Sequence, residues 1–291
     1  MAQPVFRFAP SPNGELHLGH AYSALLNQHL AERMEGRVRL RIEDIDPARS
    51  RQAYVDQIFT DLDWIGFRYE TPVRRQSEHM DDYRAAADRL RALGLLYPCF
   101  ASRTEIAAAV AAKGPDWPRD PDGQPLYPGL WRGRSDSEVA RRRSAGEPMA
   151  WRIDMPAALA RLAARRGEPL ASLVFSSDGR ETRHPLDPAR WGDAVLVRKE
   201  TPTSYHLSVV VDDAIEGVTH VVRGQDLEAA TSLHRLLQTL LDLPEPRYHH
   251  HRLLTVEGRK LSKSLRDRSL RALREEGLSR DDVLALIGPL D

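Results

Sequence analysis

Residues 5–42 read VFRFAPSPNGELHLGHAYSALLNQHLAERMEGRVRLRI. The apolar run at 5–9 precedes a turn-rich PSPNG segment at 10–14, and VRLRI at 38–42 has the composition of a second strand. Between them, apolar residues recur at three- and four-residue spacing, which is typical of a helix with one apolar face: Leu18, Tyr22, Leu25, Leu26 and Leu30. A strand, a helix and a strand in this order predict parallel pairing. The segment therefore predicts an α/β fold built on a parallel sheet.

Composition divides the rest of the chain. Eleven of the 20 prolines lie within residues 96–190, together with turn signals such as DPDG at 120–123, and this predicts a less regular, inserted subdomain. We expect the two halves of the α/β domain to occupy residues 1–95 and 191–256 on either side of it. A loop rich in lysine and serine and a short helical tail then fill residues 257–291.

Periodicity predicts further elements of the same fold. The predicted helices cover about 50–65, 79–94 and 227–241. Strand-like apolar patterning covers 194–198, 208–211 and about 248–256.

Charge and cysteine content exclude several classes of protein. The 291 residues include 42 Lys+Arg, 42 Asp+Glu and a single cysteine, so a disulfide-stapled secreted protein and a zinc-finger module are both excluded. Without a signal-peptide-like or membrane-length apolar run, we expect a cytoplasmic protein with no membrane contact. Zero net charge argues against wholesale electrostatic wrapping of nucleic acid, although residues 259–274 form a local basic segment.

The first chemical motif is HLGH at 17–20, at the predicted start of the first helix. Two imidazoles three residues apart share a helix face, and the N–H groups of a helix start attract phosphate. Gly19 would let a flat ring such as adenine lie on the backbone. Taken alone, the motif also fits ordinary polar residues at a helix start.

The second chemical motif is KLSKS at 260–264, just beyond the last predicted strand. Two lysines and two hydroxyl groups on a loop can close over a triphosphate and neutralise the charge of a leaving pyrophosphate. Taken alone, the motif also fits a solvated basic loop.

Four segments together resemble a known family. RFAPSP at 7–12, HLGH at 17–20, RIEDIDP at 41–47 and KLSKS at 260–264 are similar to class I aminoacyl-tRNA synthetases and, more narrowly, to their glutamyl-specific branch. The resemblance implies a Rossmann-type catalytic domain with an inserted subdomain, which forms an aminoacyl-adenylate from ATP and Mg²⁺. It assigns the catalytic roles to His17, His20, Lys260 and Lys263, and ATP binding to these four residues with Gly19 and Ser262.

The same resemblance implies a set of residues for the substrate. Glutamate has two carboxylates and one ammonium group, so its site needs fixed cations and a fixed anion. The implied ligands are Arg7, Ser11, Glu43, Tyr205 and Arg223. We assign Glu43 to the ammonium group, the two arginines to carboxylates, and Tyr205 to an orienting hydrogen bond. Without the family resemblance, Arg7 would be explained as part of a solvated strand face. Glu43 would be explained as a member of a surface ion pair.

Departures from the family concern the acceptor. Full-length members continue after the lysine-serine loop with a large helical anticodon-binding region, whereas this chain ends at residue 291, so we expect two short helices and no anticodon-binding domain. A shorter branch of the family attaches glutamate to the queuosine base in the anticodon loop of tRNA(Asp). Val209 stands where tRNA-charging relatives usually have an asparagine. The expected partners are therefore L-glutamate, ATP and the tRNA(Asp) anticodon arm that bears queuosine.

A last departure concerns metal. Many members bind zinc in the inserted subdomain, and the matching positions here are Cys99, Ala101, Tyr127 and Trp131. One thiol and one phenol cannot hold a structural zinc ion, so we predict none and expect packing to hold this loop. We interpret the three histidines at 249–251 as polar strand residues near the nucleotide cleft, because only the outer two would share a strand face.

Three other functions remain open from the sequence. A truncated enzyme could still charge the acceptor end of a tRNA with glutamate. A small-molecule nucleotidyltransferase can share the HisXaaGlyHis motif, although the implied glutamate ligands and the KLSKS loop argue against it. A catalytically silent RNA-binding paralogue is the third, and the intact catalytic motifs argue against it.

Overall fold

The computed structural model describes residues 3–165, 167–256, 259–260 and 268–291, with only the backbone considered at 255, 256, 259 and 260. The helices are α1 (Leu18–Arg33), α2 (Gln52–Trp64), α3 (Met80–Ala92), α4 (Arg103–Ala111), α5 (Asp136–Ser144), α6 (Met155–Arg165), α7 (Tyr205–Ile215), α8 (Ala230–Leu240), α9 (Leu270–Glu275) and α10 (Arg280–Ile287). The strands are β1 (Val5–Phe8), β2 (Arg37–Ile42), β3 (Glu70–Arg75), β4 (Leu96–Cys99), β5 (Ala150–Ile153), β6 (Ala171–Phe175), β7 (Glu181–Pro185), β8 (Val195–Val197), β9 (His220–Gly224), β10 (Arg247–His251), β11 (Thr255–Val256) and β12 (Arg259–Lys260). Short 3₁₀ helices cover Gln76–Glu78, Pro188–Trp191 and Gln225–Leu227.

The main sheet is parallel, as the first βαβ unit predicts. β2 pairs in parallel with β1 and β3, β10 pairs in parallel with β9 and β6, and β7 runs antiparallel beside β6. β1 lies against β9, where the amide of Thr219 donates to the carbonyl oxygen of Val5 at 2.9 Å. Across this junction the strand order is β3-β2-β1-β9-β10-β6-β7. The chain runs outward from the junction in both directions, and such a reversal opens a crevice at the carboxyl ends of the strands.

The two faces of β1 and β2 differ in chemistry. Because side chains alternate along a strand, Phe6, Phe8 and Leu40 enter the apolar core shared with α1. Arg7 and Arg41 point to the opposite face, where carboxylates of α7 meet them. An apolar layer therefore holds one side of the sheet and an ionic layer holds the other.

The C-terminal helices belong to the apolar layer. Leu270 and Leu273 of α9 and Val283 and Ile287 of α10 lie in the same buried cluster as β1 and α1. The expected short helical tail is confirmed, and it packs against β1 and α1.

The inserted region holds a second, antiparallel sheet. Its order is β4-β5-β8, with α4 and α5 between β4 and β5 in the chain. β6 and β7, although they fall within residues 96–190, join the main sheet, and β8, within residues 191–256, pairs with β5. The division of the chain at residues 95, 190 and 256 stays a prediction.

The positions that match the family's zinc ligands pack together. Cys99, Ala101, Tyr127 and Trp131 are buried in one cluster, and the Cys99 thiol lies 3.3 Å from the Tyr127 hydroxyl. Among the described residues, no group of three or more His, Cys, Asp or Glu side chains is arranged to hold a metal ion. The absence of zinc remains a prediction.

Most element predictions are confirmed, and one is wrong. The helices predicted at 50–65, 79–94 and 227–241 correspond to α2, α3 and α8. Residues 208–211 lie inside α7 and not in a strand. This helix is buried at Leu207 and throughout 208–211, and an apolar run buried all round has no helical period to distinguish it from a strand. No helix in the described part of the chain has the length and apolar composition needed to cross a membrane.

Candidate active site

A cleft of about 530 Å³ opens at the carboxyl ends of β1 and β9, where the strand order reverses. Ligands of parallel α/β sheets usually bind at this place. Eight of the residues expected from the sequence line it: Arg7, Ser11, His17, Gly19, His20, Glu43, Tyr205 and Arg223. The structure thus brings together the residues assigned separately to ATP and to glutamate.

Two histidines cap the N-terminus of α1 at this cleft. The Nδ1 atom of His17 accepts from the amide of Gly19 at 3.1 Å, and the Nδ1 atom of His20 accepts from the amide of His17 at 3.1 Å. Each neutral imidazole therefore carries its proton on Nε2. A Cβ atom at position 19 would lie 3.0 Å from Cε1 of His17. A side chain at position 19 would therefore press on the His17 imidazole, a reason for glycine that the sequence did not reveal.

Arg7 is held by charged and backbone acceptors. Its Nε donates to Oδ1 of Asp213 on α7 at 3.3 Å, and its Nη1 donates to the carbonyl oxygen of Val222 at 3.3 Å. The side chain is only 5 % exposed. The two acceptors tie β1 to α7 and to β9.

A second buried arginine, Arg41, connects the same acids. Its Nη2 lies 2.9 Å from Asp213 and 3.4 Å from Glu43, and its Nη1 lies 2.7 Å from Glu216. Asp212 lies 3.7 Å from its Nε. The Arg41 side chain is completely buried, so it acts on the cleft through Glu43 and Asp213.

Glu43 follows β2, and its carboxylate lines the cleft. Burial raises the pKa of this carboxyl group to about 7, against the opposing influence of the positive charges of Arg41 and Arg7. The group is therefore present in both protonation states at neutral pH. A cation that enters the cleft would favour the ionised state, because an opposite charge nearby stabilises it.

Arg223, at the end of β9, has a different environment. Its Nη1 donates to Nδ1 of His234 at 3.1 Å, and its Nη2 donates to Oγ1 of Thr231 at 2.7 Å. In the part of the chain that the structure describes, no carboxylate forms an ion pair with it. Tyr205 stands beside this group at the start of α7, and burial raises the pKa of its phenol, which keeps the hydroxyl group protonated as a hydrogen-bond donor.

Part of the predicted site lies outside the residues whose side chains the structure describes. Ser262 and Lys263 lie outside them. Lys260 belongs to β12, whose backbone pairs with Thr255 of β11. β11 follows cleft-lining residues at 251–254, so the chain leads from the cleft into the KLSKS motif.

Sequence reasoning missed Asp226, which lines the cleft. It also missed residues that hold the arginines and Glu43 of the cleft in place: Arg41, Asp213, Thr231 and His234. A signal existed for Arg41, because it stands two residues before Glu43 and alternation places the pair on one strand face. Thr231 and His234, three residues apart on α8, share a helix face. Nothing in the pattern connected them to Arg223.

Comparison with known proteins gives consistent results. Residues 5–288 match the family described as "tRNA synthetases class I (E and Q), catalytic domain". The chain is 44 % identical to the glutamyl-Q tRNA(Asp) synthetase of Rhodobacter capsulatus, over 98 % of this chain and 99 % of that protein. It is 36 % identical to glutamate–tRNA ligase 1 of Ruegeria pomeroyi, over all of this chain and 61 % of that protein.

A solved structure of a glutamate-tRNA synthetase is also similar to this chain. The glutamate-tRNA synthetase of Elizabethkingia anophelis superposes with a TM-score of 0.71 at 25 % sequence identity, over 95 % of this chain and 54 % of that one. The chain therefore spans little more than half the length of the glutamate-charging enzymes that it matches.

Proposed function

The chain belongs to the class I tRNA synthetases of the glutamate and glutamine branch, and from this membership we propose that it activates L-glutamate with ATP and transfers it to queuosine in the anticodon loop of tRNA(Asp). The observation that carries the proposal is the cleft itself. It combines a helix N-terminus capped by two histidines with the guanidinium groups of Arg7 and Arg223, the carboxylate of Glu43 and the phenol of Tyr205. This set matches a nucleotide on one side and an amino acid with two carboxylates on the other.

In the activation step, an oxygen of the glutamate α-carboxylate attacks the α-phosphorus of ATP. A new P–O bond forms, the bond to the β-phosphate oxygen breaks, and glutamyl-AMP and pyrophosphate result. Glu43 would hold the ammonium group, while Arg7 and Arg223 would hold the carboxylates. The Nε2–H groups of His17 and His20 at the N-terminus of α1 would donate to phosphate oxygens. Catalysis on this proposal comes from positioning and charge stabilisation, with no protein nucleophile.

Magnesium would accompany the nucleotide. Mg²⁺ is usually held by phosphate oxygens and water with one or two carboxylates, and it would neutralise charge on the triphosphate. Asp226 is a carboxylate that lines the cleft. Lys260, Ser262 and Lys263 complete the proposed ATP site from the KLSKS motif.

In the transfer step, a hydroxyl group of the cyclopentenediol of queuosine attacks the carbonyl carbon of glutamyl-AMP. An ester bond forms, AMP leaves, and the hydroxyl proton is released. The choice of this acceptor is supported by the relative from Rhodobacter capsulatus, a glutamyl-Q tRNA(Asp) synthetase that aligns along almost its entire length.

The test is transfer of labelled L-glutamate, with ATP and Mg²⁺, to tRNA(Asp) that carries or lacks queuosine. We expect label only on the queuosine-bearing tRNA. Mild periodate treatment of that tRNA before the assay should prevent labelling, because periodate cleaves the diol. Equal labelling of both tRNAs would contradict the proposed acceptor.

A second acceptor is favoured by the 36 % identity to a glutamate–tRNA ligase over the whole chain. On this alternative, glutamate esterifies the terminal adenosine of a tRNA. Nuclease digestion of the labelled tRNA separates the two functions, since the label would remain with the 3′-terminal adenosine and not with the anticodon fragment.

The role of Lys260 can be tested separately. We expect Lys260→Ala to depress glutamate-dependent pyrophosphate exchange by about a hundredfold or more, because it removes charge stabilisation from the leaving pyrophosphate. Glutamate affinity should change little. Lys113→Ala is the matched control, and an exchange rate of Lys260→Ala equal to that of this control would remove Lys260 from the mechanism.

A further inference from the structure

The hydrogen bonds around Arg223 fix the protonation of a neighbouring histidine. A guanidinium group can only donate, so Nδ1 of His234, 3.1 Å from Nη1 of Arg223, must accept. A neutral His234 then carries its proton on Nε2. That atom lies 3.1 Å from Nδ1 of His206, which must accept in turn. The direction of each hydrogen bond is therefore fixed along the series Arg223 on β9, His234 on α8 and His206 on α7.

His234 also contacts the other side of the glutamate site. Its ring lies edge-to-face with the ring of Tyr205, at a centroid distance of 5.6 Å, and its partner His206 is the next residue after Tyr205. The His234 side chain is buried, with 1 % of the residue exposed. One buried imidazole thus touches both the guanidinium and the phenol that are proposed to bind glutamate.

The acceptors of Arg223 are neutral. Burial, and secondarily the positive charge of Arg223, hold the pKa of His234 well below its ordinary value, so that the imidazole remains uncharged at neutral pH. The second acceptor, the hydroxyl group of Thr231, can itself donate a hydrogen bond to Nε2 of His250 at 3.0 Å. The Nε atom of Arg223 is buried and has no hydrogen-bond partner in the described ranges. The arginine is therefore oriented, while its positive charge is left unneutralised.

We propose that His234 is a positioning residue for glutamate recognition, which fixes the direction of Arg223 and the ring of Tyr205 while leaving the charge of Arg223 available to a substrate carboxylate. This inference rests on the proposed function, because it assumes that the anion bound by Arg223 belongs to glutamate. It assigns to α8 a part in substrate selection, although His234 does not line the cleft.

Three substitutions at position 234 separate orientation from charge. Glutamine is neutral and offers both an acceptor oxygen and a donor NH₂ group, so it can replace the acceptor and the donor of the neutral imidazole. His234→Gln should therefore bind L-glutamate within about threefold of the wild type. His234→Glu also offers an acceptor but neutralises Arg223, and we expect its Kd for L-glutamate to rise by about thirtyfold or more. His234→Leu removes the acceptor, and we expect a rise of about tenfold.

The measurement is isothermal titration calorimetry of the whole protein with L-glutamate, and separately with ATP as the control ligand. We expect the affinity for ATP to stay within about twofold in all three variants, since His234 contacts neither His17 nor His20. The preference for L-glutamate over L-glutamine should fall in His234→Glu and persist in His234→Gln. A purely structural role would not produce this difference between two side chains of equal size.

Equal L-glutamate affinity in His234→Glu and His234→Gln would overturn the inference. If His234→Glu does not fold, as judged by its thermal melting curve, the comparison of His234→Leu with His234→Gln decides, and equal affinities again overturn it. Failure of the proposed function looks different. The wild type would then bind L-glutamate without catalysing pyrophosphate exchange in the presence of tRNA, and the binding series would still test His234. A wild type that binds no L-glutamate would overturn both.

Discussion

Arg7 and Arg223, the two cleft arginines proposed to bind glutamate, are held in opposite ways. Arg7 lies in an ionic network, where Asp213 accepts from it and Arg41 binds the same carboxylate. Arg223 is held by a neutral imidazole and a hydroxyl group. The ionic half of the site comes from β1, β2 and α7, and the neutral half comes from β9 and α8.

This difference separates two tasks. A buried charge needs partners, and ionic partners fix a side chain strongly but also neutralise it. Neutral acceptors leave the charge intact, which makes the cation a stronger attractor for an anionic ligand. The ionic half also presents the carboxylate of Glu43 to the cleft. The two halves together therefore offer an anion for an ammonium group and an unneutralised cation for a carboxylate.

Removing the centre of the ionic half should have the largest effect, on stability. Arg41→Met leaves the Glu216 carboxylate buried without its cation and leaves Asp213 with Arg7 alone, and we expect the free energy of unfolding to fall by about 3–5 kcal/mol. Urea denaturation at neutral pH measures it. Arg84→Met is the control, because Arg84 forms an exposed pair with Asp81 and such pairs contribute about 1 kcal/mol or less. Similar losses in the two variants would show that the network is not structural.

Removing the cation of the neutral half should affect substrate use more than stability. We expect Arg223→Gln to lower kcat/KM for L-glutamate in pyrophosphate exchange by about a hundredfold, from the loss of charge-assisted hydrogen bonds. Its melting temperature should stay close to that of the wild type, since no buried carboxylate is left unpaired. Arg223→Lys keeps the charge without the planar fork and should recover part of the loss. A loss of stability as large as that of Arg41→Met would show that Arg223, too, has a mainly structural role.

Much of the fold could be predicted because its signals are local. The βαβ unit, α2, α3 and α8 each have a strong apolar period. α7 could not be predicted, since the VVV of residues 209–211 is buried on every side. The pairing of β6 with β10 also joins residues that are distant in the chain, with Tyr248 opposite Val174, and no local pattern encodes such a pair.

The site divides in the same way. Motif residues such as His17 and Glu43 could be identified because they stand in recognisable local segments. His234 and Asp213 could not, because each gains its role from a side chain more than ten residues away or on another element. The raised pKa of Glu43 likewise results from burial, which only folding brings about, and it is raised despite the opposing charges of Arg41 and Arg7.

The ionic half should also make substrate use depend on pH. Burial raises the pKa of Glu43 to about 7, so the carboxyl group is mostly neutral at lower pH and cannot attract an ammonium group. We expect kcat/KM for L-glutamate to rise by about tenfold from pH 6 to pH 8, because this ratio reports the ionisation of the free enzyme. Glu43→Gln should lose this rise along with most of its activity. A flat wild-type profile would contradict the assignment of Glu43 to the ammonium group.

The same ionisation has a consequence for stability. A carboxyl group with a folded-state pKa above its unfolded value contributes stability at low pH, which is lost as the pH rises through about 7. Glu43→Gln should therefore become more stable relative to the wild type between pH 5 and pH 8. Thermal melting at both pH values measures the difference, and the opposite trend would show that ion pairing with Arg41 outweighs burial.

The smallest effect should come from the second neutral acceptor. Thr231→Val keeps the shape of the side chain but removes the oxygen that accepts from Arg223 at 2.7 Å, and we expect KM for L-glutamate to rise by about fivefold, which corresponds to roughly 1 kcal/mol. kcat and the KM for ATP should hardly change. Thr231→Ser, which retains the hydroxyl group, is the matched control. Because His234 still orients Arg223 in Thr231→Val, the loss should be smaller than in His234→Leu. A reversed order would mean that the hydroxyl group, and not the imidazole, is the main support of the arginine.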